Sequence, residues 1–323
     1  MTRQSLNEID QMVQDVLDGD KRAMARAISA VEKRAAHSDA LLDKLYVHTG
    51  RAFRLGITGP PGAGKSTLVA ALTAHYRREG RTVGIIAIDP TSPYSGGAVL
   101  GDRIRMLEVG MDEGVFIRSM AARGSLGGLS RAASDAADVL DAAGKDIVIL
   151  ETVGVGQSEL DIAGAADATV VVLVPESGDA VQAMKAGLME IADLFVINKS
   201  DRSGAEQAAA AIAMMLSFRV THDAAQWIPP VVKTVASTPT GMEELASAID
   251  AFRAHQNAHN TATQKRAMQM RKRVRELIES QRRVEFWDEA RRAQLNAGLE
   301  PVLTRHATPY ALARALLRAA ITP

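Results

Sequence analysis

The sequence predicts an α/β fold, a central and mostly parallel sheet flanked by helices, with helical extensions at both ends. Seven apolar, β-prone runs recur between residues 54 and 255, and helical stretches separate most of them. The runs are almost continuously apolar, the pattern of strands covered on both faces. Outside this region the pattern changes to a helical period at one end and to Arg-rich helical stretches at the other.

Taken in order, Ile9, Met12, Val13 and Val16 share one face of a first helix. Asp18-Gly19-Asp20 ends it, and Asp20 is placed to cap a second helix running through Ala30 to Lys33. A third covers Leu41 to Val47 and stops near Gly50. Strands are expected at Leu55–Thr58, Val83–Ile88, Val115–Ile117, Ile147–Leu150, Thr169–Val174, Phe195–Ile197 and Val231–Val235. Intervening helices are expected at Lys65–Arg78, Ser130–Ala143, Ala180–Ala192 and Glu243–Phe252. The polar stretch 257–263 has the composition of a linker. Beyond it, Gln264 to Arg292 reads as one Arg-rich helix, and Tyr310 to Ala320 as a last one. The domains expected are an N-terminal helical extension over 1–50, an α/β domain over 51–256 and a C-terminal helical extension over 257–323.

Composition narrows the function classes. The 323 residues are 47% hydrophobic and 24% charged, an ordinary globular balance. Lys+Arg and Asp+Glu both number 38, so no bulk attraction to nucleic acid or anionic lipid is expected. The chain has no cysteine, which excludes disulfides, thiolate metal sites and a cysteine nucleophile. The histidines are scattered without an evident metal-binding spacing. The opening MTRQSLNEID carries acids and no apolar core, so a signal peptide is not expected. The most apolar run, Ala168 to Val174, is too short to span a membrane. A cytoplasmic protein follows as the expectation.

The chemistry concentrates where strands end. Gly59-Pro60-Pro61-Gly62-Ala63-Gly64-Lys65-Ser66-Thr67 fits G-x-x-x-x-G-K-S, follows a strand and opens a helix. Its glycines let backbone N–H groups curl around a β-phosphate. Lys65 supplies charge to the β- and γ-phosphates, Ser66 is placed to ligate Mg²⁺, and the helix N-terminus adds its dipole. Ile147 to Leu150 runs into Glu151-Thr152-Val153-Gly154, an apolar strand ending in an acid that acts on Mg²⁺ directly or through water. Gly154 allows a backbone N–H to approach a γ-phosphate. Val155 occupies the place that holds a water-orienting Gln in Ras-like enzymes. Slow intrinsic hydrolysis is therefore expected, with a partner or another residue such as Gln157 assisting.

Asn198-Lys199-Ser200-Asp201 matches N-K-x-D. The Asp201 carboxylate can accept from guanine N1–H and the exocyclic amine together, whereas adenine would oppose it with a lone pair. Val235, Ala236 and Ser237 follow another strand, where a short loop can offer a backbone N–H to the guanine carbonyl. The Gly/Pro-rich loop from Asp89 to Arg103 follows the second strand, with Asp89 and Asp102 as candidate metal-shell acids. Glu176 to Lys185 is a charged, glycine-hinged segment on the same edge, read equally well as an ordinary loop and helix start. The Arg-rich C-terminal helix carries interleaved Glu276 and Glu279 and embedded Met268, Val274, Leu277 and Ile278, which favours packing against another helix over nucleic acid.

The strings GPPGAGKST, AIDPTSPYSGGAVLGDRIRM, ETVGVGQSE and VINKSD together resemble the MeaB/ArgK group of P-loop GTPases, across about residues 50 to 255. The resemblance implies a Mg²⁺-dependent GTP/GDP switch that dimerises through its C-terminal helices. It implies a role on adenosylcobalamin-dependent methylmalonyl-CoA mutase, gating cofactor loading and protecting the mutase from inactivation. By position, Ser66, Asp89, Asp102 and Glu151 match the family's magnesium region. Asp179, Gln182 and Lys185 match a segment that reports nucleotide state to the mutase. Rival readings are a nickel metallochaperone GTPase, disfavoured by the absence of cysteine, a protein-targeting GTPase, and a kinase.

Overall fold

The computed structural model describes residues 3–90, 106–122, 128–152, 158–175, 187–218, 226–238 and 240–318. The chain forms two compact units, Met1–Arg266 and Ala267–Pro323. In the first, three helices, α1 (Arg3–Leu17), α2 (Lys21–Glu32) and α3 (Ser38–Tyr46), precede β1 (Phe53–Thr58) and α4 (Lys65–Arg78). Asp20 caps α2 as its sequence position predicts, its carboxylate accepting from Ala23 N at 2.6 Å. Next come β2 (Val83–Pro90), α5 (Leu107–Gly110), β3 (Val115–Ala122), α6 (Gly128–Ala142), β4 (Ile147–Glu151) and α7 (Ser158–Asp161). A single 3₁₀ turn leads to β5 (Ala168–Leu173), α8 (Leu188–Ile191), β6 (Leu194–Ile197), α9 (Ala205–Ser217), β7 (Val231–Lys233) and α10 (Met242–Ala258).

The seven strands form one all-parallel sheet in the order β3-β2-β4-β1-β5-β6-β7. Both faces are buried, which explains the continuous apolar runs. On one face Leu55, Ile57, Ile149, Val170 and Val172 pack with Leu68 and Leu72 of α4 and Leu245 and Ile249 of α10. On the other, Ile86, Ile88, Val148 and Leu150 pack with α6 and with Val16, Met24, Ile28 and Leu41 from the three N-terminal helices. Those helices thus serve as part of the cover of this sheet. β1 sits between β4 and β5, and open α/β sheets bind ligands at the carboxyl ends of their strands.

Several elements depart from the sequence expectation. Strand β3 continues past Ile117 to Ala122, although Arg118 and Ser119 interrupt the apolar run. Arg118 is part-buried and donates to Ser29 Oγ at 2.9 Å and Glu32 Oε2 at 3.2 Å, so α2 satisfies its charge. Strand β7 ends at Lys233, and Val235 instead forms an isolated antiparallel bridge with Thr240. The linker expected over 257–263 is not one. Helix α10 runs to Ala258 and α11 (Thr261–Phe286) begins after only two intervening residues, with Asn260 at φ +60° making the break. Its polarity belongs to exposed helix turns. Of the helix expected over Ala180–Ala192, residues 180–186 lie outside the described residues, and α8 begins after Gly187.

The second unit continues α11 and adds α12 (Glu289–Leu303) and α13 (Pro309–Arg318). The helix expected through Arg292 stops at Phe286, because Asp288 caps a new helix by accepting from Arg291 N at 2.7 Å. No residue of α11 is buried, and Met268, Val274, Ile278 and Val284 are exposed. Among the described residues no helix is long and apolar enough to cross a membrane.

Candidate functional site

The phosphate loop leaves the carboxyl end of β1 and enters α4. Gly59 has φ +139°, and a Cβ there would stand 2.0 Å from Val172 O of β5. Only a residue without a side chain lets the loop pass this close to the neighbouring strand. Lys65 opens α4 and is 6% exposed. Its ammonium donates to Gly59 O at 2.8 Å and to Pro60 O at 3.0 Å, inside the curl of the loop.

Glu151, the last residue of β4, stands beside Ile57 of β1 in register and is 2% exposed. Ser66 Oγ donates to its Oε1 at 2.6 Å. One residue further, the Thr152 and Thr58 hydroxyls meet at 2.9 Å, tying the two strand ends together. The oxygen-only pair of Ser66 and Glu151 is chemically suited to Mg²⁺, a hard cation bound through few protein oxygens, with phosphate and water supplying the rest. Among the described residues no group of three or more His, Cys, Asp or Glu could hold a metal ion.

On the other side of the loop, Asn198 follows β6 and is buried. Its Nδ2 donates to Ala63 O at 2.8 Å, and its Oδ1 accepts from Ala236 N and Thr234 Oγ1, both at 3.1 Å. One side chain therefore joins the phosphate loop, the N-K-x-D loop and the loop after β7. Lys199 takes a left-handed conformation, φ +55°, and its Nζ donates to Gly62 O at 2.8 Å. Backbone strain of this kind, on the order of 1–3 kcal/mol, persists where surrounding contacts impose it. Asp201 is exposed, and no hydrogen bond or ion pair occupies its carboxylate among the described residues. In the third loop, Val235 N donates to Thr240 O at 3.1 Å and Ala236 N to Asn198, while Ser237 is exposed.

The structure thus brings together Gly59 to Thr67, Glu151, Asn198, Lys199, Asp201 and Val235 to Ser237 on one edge of the sheet. Asp89 is the penultimate residue of β2, on the same edge beyond β4. Asp102, Gly154, Gln157, Asp179, Gln182 and Lys185 lie outside the described residues. One group was not singled out from sequence. Glu159, on α7, is buried; burial pushes its carboxyl above the ordinary value, and the Lys65 charge pulls it back. Its sequence signal is an acid two residues past Gln157 in ETVGVGQSE.

The sequence profile of the family described as methylmalonyl-CoA mutase-associated GTPase MeaB matches residues 24–290. A Pyrococcus abyssi relative is 50% identical over 275 residues, covering 84% of this chain and 83% of its own. GTPase ArgK of Escherichia coli is 40% identical over 259 residues, 78% of each chain. A crystal structure described as a LAO/AO transport system kinase superposes with a TM-score of 0.72 at 29% identity, covering 100% of this chain and 99% of the other. With the phosphate loop, its acidic neighbour and the guanine-type loop on one sheet edge, the chain belongs to the MeaB family of GTPases.

Proposed function

We propose that the chain is a slow, Mg²⁺-dependent GTP hydrolase that passes its nucleotide state to an adenosylcobalamin-dependent methylmalonyl-CoA mutase. The observation that supports the guanine reading best is the Asn198 hub. It holds the phosphate loop and the base loop as one body while the Asp201 carboxylate stays available to guanine N1–H and N2–H. The guanine carbonyl then faces the Ala236–Ser237 backbone. Lys199, held along the loop by its bond to Gly62, lays its aliphatic stem beside the base.

Phosphate binding draws the Lys65 ammonium from the Gly59 and Pro60 carbonyls onto phosphate oxygens, exchanging neutral acceptors for charged ones. Ser66 and Glu151 would hold the metal, with Asp89 and Asp102 as candidate further acids of its shell. When bound, Mg²⁺ neutralises charge on the β- and γ-phosphates. Gly154 offers a backbone amide to the γ-phosphate. Val155 cannot orient water, so hydrolysis is slow, with Gln157 proposed to assist. Asp179, Gln182 and Lys185 report the phosphate to the partner. The mutase partner rests on the family's description, and the protective role at cofactor loading is a proposal beyond it. The exposed apolar residues of α11 support homodimerisation through the C-terminal helices.

Hydrolysis assays with GTP and ATP test the enzymatic reading. GTP should be turned over slowly to GDP and inorganic phosphate, and loss of turnover on removing Mg²⁺ is expected. Label transferred to an acceptor other than water would instead favour a kinase. A pull-down with a slowly hydrolysed GTP analogue and with GDP tests the partner. Failure to retain a cobalamin-dependent mutase in either state removes that assignment and leaves the GTPase intact.

A further inference from the structure

A second polar cavity lies at the opposite end of the sheet from the phosphate loop. Its volume is about 210 Å³, and it opens beside the start of β1 and the turn between α10 and α11. Six residues of β1, roughly 20 Å of strand, separate it from Gly59. Three guanidinium groups from three segments line it: Arg51 ahead of β1, Arg253 on α10 and Arg266 on α11. Asp167 is the one carboxylate in the lining.

That carboxylate is already committed. Arg266 grips it with Nε at 2.8 Å and Nη2 at 3.1 Å, and its Oδ2 also accepts from Arg54 N at 2.9 Å. The nearby acids are committed as well. Asp141 accepts from the Gly50, Arg51 and Ala52 amides and from Arg54 Nη2. Asp250, one turn before Arg253, pairs with Arg81 at 3.3 Å. Arg253 instead lies over the Phe53 ring at 5.2 Å, which holds the guanidinium without neutralising it. No carboxylate pairs with Arg51 or Arg253 among the described residues. Asp167 is matched by Arg266, so Arg51 and Arg253 face the cavity with no acid of their own, and Asn257 and Thr263 add neutral polar groups.

We propose that this cavity binds a phosphate group, free or as a small phosphate monoester, held by Arg51 and Arg253 at the root of the C-terminal helices. Planar guanidinium forks match tetrahedral oxyanions with two parallel bonds each. A cavity of this volume takes a phosphate and a few attached atoms, well below the 300–1,000 Å³ or so of a drug-sized site. Nucleic acid would need an extended basic track, which the balanced overall charge does not provide.

The test uses full-length protein saturated with GDP and Mg²⁺, so that the phosphate loop is filled. Calorimetric titrations with inorganic phosphate and with glycerol phosphate are compared with malonate. Saturable phosphate binding is expected, weakened at least about 10-fold in the Arg51→Gln/Arg253→Gln double variant as two charge-assisted contacts are lost. Both arginines are exposed, and GDP affinity of the variant should equal that of the parent, which shows that it folds. Tighter binding of the ester than of phosphate would identify a metabolite site, and equal binding a phosphate site. The proposal is overturned if GDP-saturated protein shows no saturable binding at millimolar phosphate. It is equally overturned if the double variant binds as well as the parent, or if malonate is preferred.

Discussion

Asn198 Nδ2 donates to Ala63 O at 2.8 Å, joining two loops whose positions lie 135 residues apart. The same amide group reaches Ala236 N and Thr234 Oγ1, so its removal frees three loops at once. Asn198→Ala should lower GTP affinity on the order of 100-fold and cost about 1–3 kcal/mol of stability, because buried polar partners are left unpaired. Asp201→Asn should separate these effects. It removes a carboxylate that braces nothing among the described residues, so stability should hold while GTP affinity falls. Affinity for xanthosine triphosphate should rise, since an amide can donate to the xanthine 2-carbonyl. Fluorescent-nucleotide titration with denaturation on the same samples measures both; equal stability losses in the two variants would contradict the hub.

Gly59 and Gly62 both have positive φ, +139° and +79°, yet they should tolerate alanine differently. At Gly59 the new Cβ would meet the Val172 carbonyl oxygen at 2.0 Å, a backbone atom that cannot swing aside. At Gly62 nothing lies within 4 Å. Gly62→Ala should therefore cost only left-handed strain, about 1–2 kcal/mol. Gly59→Ala must move β5 or the loop and should exceed about 3 kcal/mol or prevent soluble expression. Urea denaturation distinguishes them.

Much of this architecture was legible because it follows simple periods and strand-end motifs. The parallel sheet announced itself in runs such as Ile147–Leu150, buried on both faces and so apolar at every position. The phosphate loop and N-K-x-D were readable because their chemistry is local. What failed were places where a distant element changes a residue's meaning. Arg118 looks like a strand terminator until Glu32 and Ser29 of α2 are brought to it. Residues 257–263 look like a linker because exposed helix turns and linkers share a polar composition. The Asn198 contacts and the charge balance around Arg253 depend on long-range packing, which no local pattern encodes.

Ser66 Oγ donates to Glu151 Oε1 at 2.6 Å, linking α4 to the end of β4 at the proposed metal site. Glu151→Gln keeps the shape and removes the charge. It should weaken Mg²⁺-dependent GTP binding by roughly 10- to 100-fold and abolish turnover, since a hard cation loses its anionic ligand. Binding of GDP measured with the metal chelated should change little. Parallel titrations with and without Mg²⁺ decide it, and equal losses under both conditions would assign Glu151 a purely structural part.

Lys265 pins the first turn of α11 to the sheet, donating to Asp167 O at 2.8 Å and to Asp193 Oδ2 at 3.1 Å. Burial pushes the Asp193 carboxyl above its ordinary value, and Lys265 and the Thr169 amide pull it back. A raised folded pKa means that the native state holds more protons than the unfolded chain just above the usual carboxylate range. Stability therefore falls as pH rises through that window and levels off above it. Lys265→Met keeps the aliphatic stem and removes the counter-charge, so the Asp193 pKa should rise further and the window should extend upward. The variant should lie close to the parent at a pH below the folded pKa of both, where Asp193 is protonated in each. It should lose about 1–3 kcal/mol near neutral pH, where a buried carboxylate has lost its cation. Denaturant unfolding at several pH values checks this, and a deficit independent of pH would show that Lys265 acts through packing and its bond to the Asp167 carbonyl rather than through the Asp193 charge.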